Sequence, residues 1–108
     1  MVIKMRGKRA DSVFRAMTDP TRRSILRRLK GGSLNAGQIA EGVAVSKGTL
    51  SHHLTILRKA DLVRCERRGQ QRVYSINSTV FQEVAAALLD FFAVGSHETK
   101  GTLVRASR

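Results

Sequence analysis

The spacing of the hydrophobic residues changes at Leu62, and this change constrains the fold more than any other feature of the sequence. Before that point hydrophobic residues recur at helical intervals, as Leu50, Leu54 and Leu57 do at i, i+4 and i+7. Over residues 63–77 the pattern alternates with period two, and helical spacing returns from about residue 79. The sequence therefore predicts a mainly α-helical domain that carries one small β-hairpin.

Local capping signals divide the helical part of the chain. Asp19 is a candidate N-cap with Pro20 at the first helical position, Asn35 and Gln38 can form a capping box, and Ser46 can cap a further helix. The predicted elements are helices over residues 12–18, 20–30, 34–43, 47–60 and 79–94, and two strands around a turn at residues 68–71. We expect one domain over residues 11–94, after a flexible basic arm at residues 1–10 and before a disordered tail at residues 95–108.

Positive charge is concentrated in two stretches of the chain. The 20 Lys and Arg residues exceed the 8 Asp and Glu residues, which gives a net charge of +12. Residues 1–30 carry a net +8 and residues 47–72 a net +5, whereas residues 73–108 are neutral overall. A small domain this basic attracts polyanions. We expect nucleic acid to contact the front and middle of the chain, and the neutral, apolar end to have another task.

Cysteine usage and hydropathy indicate a cytoplasmic protein. A single cysteine, Cys65, excludes an internal disulfide framework and a cysteine-cluster zinc site. No apolar run approaches the ~18 residues of a membrane span, and the basic N-terminus lacks the apolar stretch of a secretory signal. We therefore expect no membrane partner.

The predicted order of a short helix, a tight turn, a second helix and a basic hairpin is that of a winged helix-turn-helix, here with about five helices and a two-stranded wing. The DNA major groove admits the second helix of such a pair, and the hairpin can reach a neighbouring groove or phosphate row. With the Leu50 seam inward, the 100° step per residue defines the opposite half of the helix. That half holds Gly48, Ser51, His52, Thr55 and Lys59.

Two adjacent histidines, His52 and His53, raise the question of a metal site. Neighbouring residues on a helix do not face each other, and neither histidine has a His, Cys or acid four residues away. We therefore expect no metal ligation, and assign His52 to DNA and His53 to a half-buried packing or bridging role.

Three segments, DPTRRSILRRL, AGQIAEGVAVSKGTLSHHLTILRKADLV and RRGQQRVYSIN, resemble the ArsR-type winged-helix repressors, especially the metal-independent small autorepressors. The resemblance covers about residues 11–94. It implies a homodimer that binds an inverted-repeat operator in its own promoter region. The DNA contacts that it implies are Lys47, Gly48, Ser51 and His52 on the recognition helix and Arg67, Arg68, Gln70 and Arg72 in the wing. Thr49 and Thr55 of the same helix complete the set that we expect there.

The chain departs from the metal-sensing members of that family. Those members carry a C-x-C box in the third helix, where this chain has LNAGQIAEGVA without Cys, His or paired acids. They also carry acids and histidines in the last helix, where this chain offers only Glu83 and Asp90. These departures argue against metal sensing, and we expect neither a metal nor another cofactor.

The last predicted helix has more large hydrophobic residues than one small core can use, because the adjacent Phe91 and Phe92 cannot both point the same way. Packing on both sides within one monomer would explain it, but we favour a dimer interface with the first helix beside it. The predicted interface residues are Val13, Phe14, Met17, Phe81, Val84, Leu88, Phe91 and Phe92.

Arg22 and Arg23 lie at a helix start, where positive charge opposes the helix dipole. We therefore predict phosphate contacts for both. The predicted function is a sequence-specific, double-stranded DNA-binding repressor, and no phosphate loop or hydrolase motif suggests an enzyme. The alternatives are a repressor of this fold that responds to a small-molecule effector or to oxidation of Cys65, and a basic protein that binds nucleic acid without specificity.

Overall fold

A computed structural model describes residues 7–96 of the 108-residue chain. The greater part of the predicted basic arm and nearly all of the predicted tail lie outside the described residues. Within them, the chain forms α1 (Gly7–Met17), α2 (Pro20–Leu29), β1 (Leu34–Asn35), α3 (Ala36–Glu41), α4 (Lys47–Lys59), β2 (Val63–Arg68), β3 (Gln71–Ile76) and α5 (Ser78–Ser96).

The three capping residues that the sequence predicts are confirmed. The Asp19 carboxylate accepts a hydrogen bond from the backbone N–H of Arg22 at 3.0 Å, with Pro20 as the first residue of α2. Asn35 and Gln38 form both bonds of the capping box, at 2.8 and 2.9 Å. Ser46 accepts from the backbone N–H of Thr49 at 3.2 Å. These caps determine where α2, α3 and α4 begin, and all their partners are close in sequence.

The sheet has three strands in the order β1-β3-β2, all antiparallel, where the sequence predicts two. Leu34 pairs with Tyr74 and Asn35 with Val73, so the start of the predicted third helix is instead the short strand β1. Helix α3 consequently begins at Ala36 and ends at Glu41. The capping geometry favours this outcome, because an N-cap residue has extended backbone angles that also suit a strand.

Helix α1 begins at Gly7, earlier than the predicted residue 12, so residues 7–10 are helical and not part of a flexible arm. The Arg9 guanidinium lies 3.8 Å from a carboxylate oxygen of Asp61 and 3.5 Å from one of Glu83. These two ion pairs attach the first turns of α1 to the loop after α4 and to α5. They join residues that are far apart in sequence, so no local sequence pattern predicts them.

One hydrophobic core joins the helices to the base of the sheet. Its fully buried members come from several different elements and loops: Val13, Ile25, Ile39, Leu57, Leu62 and Val80. Leu50, Leu54 and Leu57 are all buried, so the predicted inner seam of α4 is confirmed. No helix within residues 7–96 has the length and hydropathy to cross a membrane.

Candidate DNA-binding surface

Helix α4 presents one polar, exposed face opposite its buried leucine seam. The predicted contact residues on this helix are all exposed: Lys47, Gly48, Thr49, Ser51, His52 and Thr55. No carboxylate lies among them. A helix of this kind can enter the major groove with hydroxyl, imidazole and ammonium groups toward the DNA.

The first turn of α4 is tightly organised around Ser46. Its hydroxyl accepts from the backbone N–H of Thr49 and donates to the Thr49 hydroxyl at 3.0 Å. Thr49 is therefore both a predicted DNA contact and a partner of the helix cap. Between them, Gly48 is open: a Cβ added there would meet no atom within 4 Å beyond its chain neighbours and the nearby backbone of α4. The absence of a side chain at residue 48 is thus not required by packing within the monomer.

The wing is the hairpin of β2 and β3, closed by Gly69 and Gln70 between the paired residues Arg68 and Gln71. Gly69 has a φ of +61°, which a glycine adopts without steric cost and a hairpin turn of this length requires at this position. The predicted turn is therefore confirmed. All four predicted wing contacts are exposed: Arg67, Arg68, Gln70 and Arg72.

Arg67 and Arg72 stand directly opposite each other across the two wing strands. Like charges in this position repel each other and destabilise the sheet. Neither residue is in an ion pair with the residues that the structure describes, whereas Arg68 is paired with Glu66 at 3.1 Å. A phosphate beside Arg67 and Arg72 would relieve their repulsion, so these two are better suited than Arg68 to bind a DNA backbone.

The prediction for Arg22 is wrong, because its side chain is buried and turned toward the protein. Only 9% of Arg22 is exposed. Its Nε donates to the carbonyl oxygen of Ala16 at 2.7 Å, one Nη donates to that of Arg15 at 3.1 Å, and the other lies 3.1 Å from Nδ1 of His53. Each of the three guanidinium nitrogens therefore has a partner within the protein, and the burial of the group keeps its remaining N–H donors away from a phosphate.

Arg23 is half-buried and donates to the carbonyl oxygen of Met17 at 2.8 Å. Its remaining donors are still available, so a phosphate contact of Arg23 stays a prediction. Both arginines thus bind carbonyl oxygens in the last turn of α1, but Arg22 is buried, whereas Arg23 also lines a cleft between α2 and α5.

The link that Arg22 forms with His53 has no signal in the sequence. His53 is 9% exposed and its Nδ1 is 3.9 Å from a carboxylate oxygen of Asp19. The hydrogen bond from the Arg22 backbone N–H is the main reason why the pKa of the Asp19 carboxyl is lowered. The bridging role expected for His53 therefore has a definite partner, which lies 31 residues earlier in the chain.

The predicted dimer residues fall into two groups. Val13 and Val84 are buried in the core, with 0% and 7% exposure, so they are removed from the predicted interface. Met17 and Phe81 are half-buried against that core. The exposed members are Phe14, Leu88, Phe91 and Phe92, and Leu89, absent from the prediction, joins them at 70% exposure.

Cys65 is half-buried on β2, opposite Tyr74 of β3. Burial, followed by the neighbouring Cys65 side chain, raises the pKa of the Tyr74 phenol above its usual value of 10.0. In the part of the chain that the structure describes, no three His, Cys, Asp or Glu side chains come close enough to hold a metal ion.

Comparison with known proteins agrees with this geometry. Residues 17–66 match the family model described as "Helix-turn-helix domain". The chain is 46% identical to the transcriptional repressor SdpR of Bacillus subtilis over 88 residues, which span 82% of this chain and 98% of that protein. It is 33% identical to the arsenical resistance operon repressor of Staphylococcus xylosus over 68% of this chain and 70% of that protein. An ArsR-like transcriptional regulator from Rhodococcus sp. RHA1 superimposes with a TM-score of 0.77 at 25% identity, over 88% of this chain and 90% of that chain.

Proposed function

The chain belongs to the ArsR family of winged-helix DNA-binding transcriptional repressors, and from this premise we propose that it acts as a homodimer on an inverted-repeat operator without a metal ion. The proposed operator lies upstream of its own gene. The observation that carries the dimer is the cluster of large hydrophobic side chains exposed on α5. The observation that favours an operator with two half-sites is the exposed polar face of α4, because a dimer would present two copies of it.

The α5 cluster consists of Leu88, Leu89, Phe91 and Phe92, which are between 43% and 70% exposed. A Phe side chain can bury ~150–250 Å², and removing apolar surface from water contributes ~25 cal/mol per Å². Covering the exposed part of even one of these two rings would thus stabilise an interface by about 2–4 kcal/mol. An apolar cluster of this kind is characteristic of an interaction surface.

Charge opposes self-association less at this end of the molecule than elsewhere. A net charge of +12 makes two copies of the chain repel each other. Helix α5 contains no Lys or Arg, and Glu83 and Asp90 give it a negative charge. Two chains that meet through α5 therefore keep their basic surfaces apart, where both α4 helices are free to bind DNA. A two-fold axis would place them at half-sites ~34 Å apart.

Support for metal independence comes from the ligand types near the DNA surface. Arg22, a permanent cation, lies 3.1 Å from Nδ1 of His53 and occupies the lone pair that a metal would need. His52 has no carboxylate or thiol four residues away on α4. We therefore propose that neither histidine senses a metal.

The test is binding of the purified protein to fluorescent duplexes that tile the region upstream of its own gene, against a random duplex, across a salt series and with or without a chelator. We expect one two-fold-symmetric site with a clear preference over random DNA and no effect of chelator. Sedimentation at the same concentrations should give a dimer. Equal affinity for all duplexes would indicate a non-specific basic nucleic-acid binder, and loss of binding with chelator would contradict metal independence.

A further inference from the structure

The guanidinium of Arg22 is buried without a carboxylate within salt-bridge distance in the described part of the chain. A buried charge is unfavourable unless hydrogen bonds replace its water. The Asp19 carboxylate attracts this charge from a greater distance, and the hydrogen bonds of the guanidinium go to neutral acceptors: the carbonyl oxygens of Arg15 and Ala16 and the imidazole of His53. An exposed guanidinium would have a smaller free-energy cost. The burial of Arg22 is therefore best explained by the helices that its three contacts hold together.

The contacts of Arg22 connect three helices. The side chain comes from the first turn of α2 and caps carbonyls in the last turn of α1, where a helix has no backbone donors of its own. Its third contact, His53, lies in the middle of α4. Arg22 therefore ties the end of α1, whose exposed Phe14 belongs to the predicted dimer surface, to the helix that carries the predicted DNA contacts.

The same contact determines the hydrogen position on His53. A guanidinium has only donors, so Nδ1 of His53 must accept, and the ring proton of the neutral imidazole lies on Nε2. The distance of 3.9 Å from Nδ1 to the Asp19 carboxylate is too long for a competing hydrogen bond. Of the hydrogen bonds among residues 7–96, the one with Arg22 determines the tautomer of His53.

His53 directly follows Ser51 and His52, two of the predicted DNA contacts. A hydrogen bond to a buried ring restricts rotation of α4 about its own axis. Side chains on a helix reach ~5–6 Å from the axis, so a rotation of about 20° would move an outward group by ~2 Å. Hydrogen bonds to base edges tolerate only a few tenths of an ångström. Contacts of Lys and Arg with phosphates depend less on such rotation.

We propose that Arg22 and His53 are positioning residues, which set the rotation of α4 relative to α1 and so determine the preference for operator over random DNA. The pair does not contact DNA bases through Arg22 and contributes little to general affinity. This inference rests on the proposed role of α4 as the helix that reads DNA.

The decisive variants are His53→Leu, which fills the space but cannot accept from Arg22, and His53→Gln, whose amide oxygen can. Binding is measured to the tightest upstream duplex and to random duplex, below the melting temperature of each variant. We expect His53→Leu to lower the operator-to-random affinity ratio about tenfold or more, with random binding and its salt dependence unchanged. His53→Gln should retain the ratio within about threefold.

An unchanged ratio in a folded His53→Leu protein would overturn the proposal, as would equal loss for both duplexes, which indicates a purely structural role. Nitrogen-15 NMR of the wild-type imidazoles tests the same contact without a variant. We expect the Nε2–H tautomer for His53, and a proton on Nδ1 would overturn the proposal even if His53→Leu did not fold. A wild-type protein that prefers no duplex would contradict the proposed function instead, and that outcome is visible before any variant is made.

Discussion

Gly48→Ala should raise the stability of the protein and lower its affinity for DNA. Gly48 is the second residue of α4 and is exposed, and a Cβ added to it would meet nothing within 4 Å beyond its chain neighbours and the nearby backbone of α4. Alanine is up to ~1 kcal/mol more favourable than glycine within a helix. For a domain of this size such a gain raises Tm by on the order of 4 °C. The folded protein alone thus gives no reason for glycine at this position.

If α4 lies against DNA, the added methyl group meets the DNA and displaces at least one neighbouring contact. Loss of one such contact costs ~1–3 kcal/mol, which is about a 5- to 150-fold increase in Kd. Thermal unfolding and fluorescence anisotropy on the same preparation measure both effects.

Gly37→Ala is the matched control, because Gly37 is the second residue of α3 and its added Cβ would make only an ordinary contact at 3.4 Å with Asn35. The control should gain stability in the same way and keep the wild-type Kd. Unchanged operator affinity in Gly48→Ala would refute the close approach of α4 to DNA at this residue.

Three further predictions concern the wing, α5 and the sheet. Arg67→Ala should weaken binding to every duplex and reduce the slope of log affinity against log salt by about one, because one phosphate contact is lost; Arg68→Ala should change the slope less, since Glu66 already neutralises Arg68. Phe91→Glu should convert the dimer into a monomer in sedimentation, because it would bury a charge in an apolar contact. The Tyr74 phenol should ionise with a midpoint above pH 10.0 by ultraviolet absorbance, and the stability that depends on its neutral form should persist at lower pH and be lost as pH rises through that midpoint.

Each of these has a direct check. Gln82→Glu adds the same charge to an exposed position of α5 outside the apolar cluster and should leave the dimer intact. The absorbance signal belongs to Tyr74 alone, since the chain has one Tyr and no Trp. A denatured sample should titrate near the usual value, and identical midpoints in both states would contradict the effect of burial. Equal salt slopes for the two arginine variants would contradict the assignment of Arg67 as the stronger phosphate contact.

The features that the sequence predicts well depend on neighbours within a few residues. The caps at Asp19, Asn35 and Ser46 and the positive-φ turn at Gly69 are examples, because the partners of each lie no more than three residues away. The leucine seam of α4 is also a local feature, because residues on one buried face of a helix recur at regular helical spacing.

The features that the sequence does not predict depend on partners that are distant along the chain. Pairing of Leu34 with Tyr74 creates the third strand, and the bond from Arg22 to His53 turns a predicted phosphate ligand inward. The interface prediction is wrong for Val13 because hydrophobicity does not distinguish a residue buried by its own chain from one buried by a partner. Pattern alone cannot resolve such alternatives, because it does not contain the distances on which they depend.

The strength of sequence discrimination explains why a dimer suits this small reading surface. Helix α4 offers Ser51, His52 and Thr55 on the part of its face that points away from the leucine seam. If two of these contact base edges at ~1–3 kcal/mol each, one protomer discriminates by only ~2–6 kcal/mol. A specific repressor must exceed its non-specific binding by ~4–10 kcal/mol, because a genome offers on the order of a million or more competing sites. Two protomers on one inverted repeat would double the discrimination of one protomer to ~4–12 kcal/mol. In the proposed dimer, the exposed apolar surface of α5 and the exposed polar face of α4 would therefore serve the same requirement.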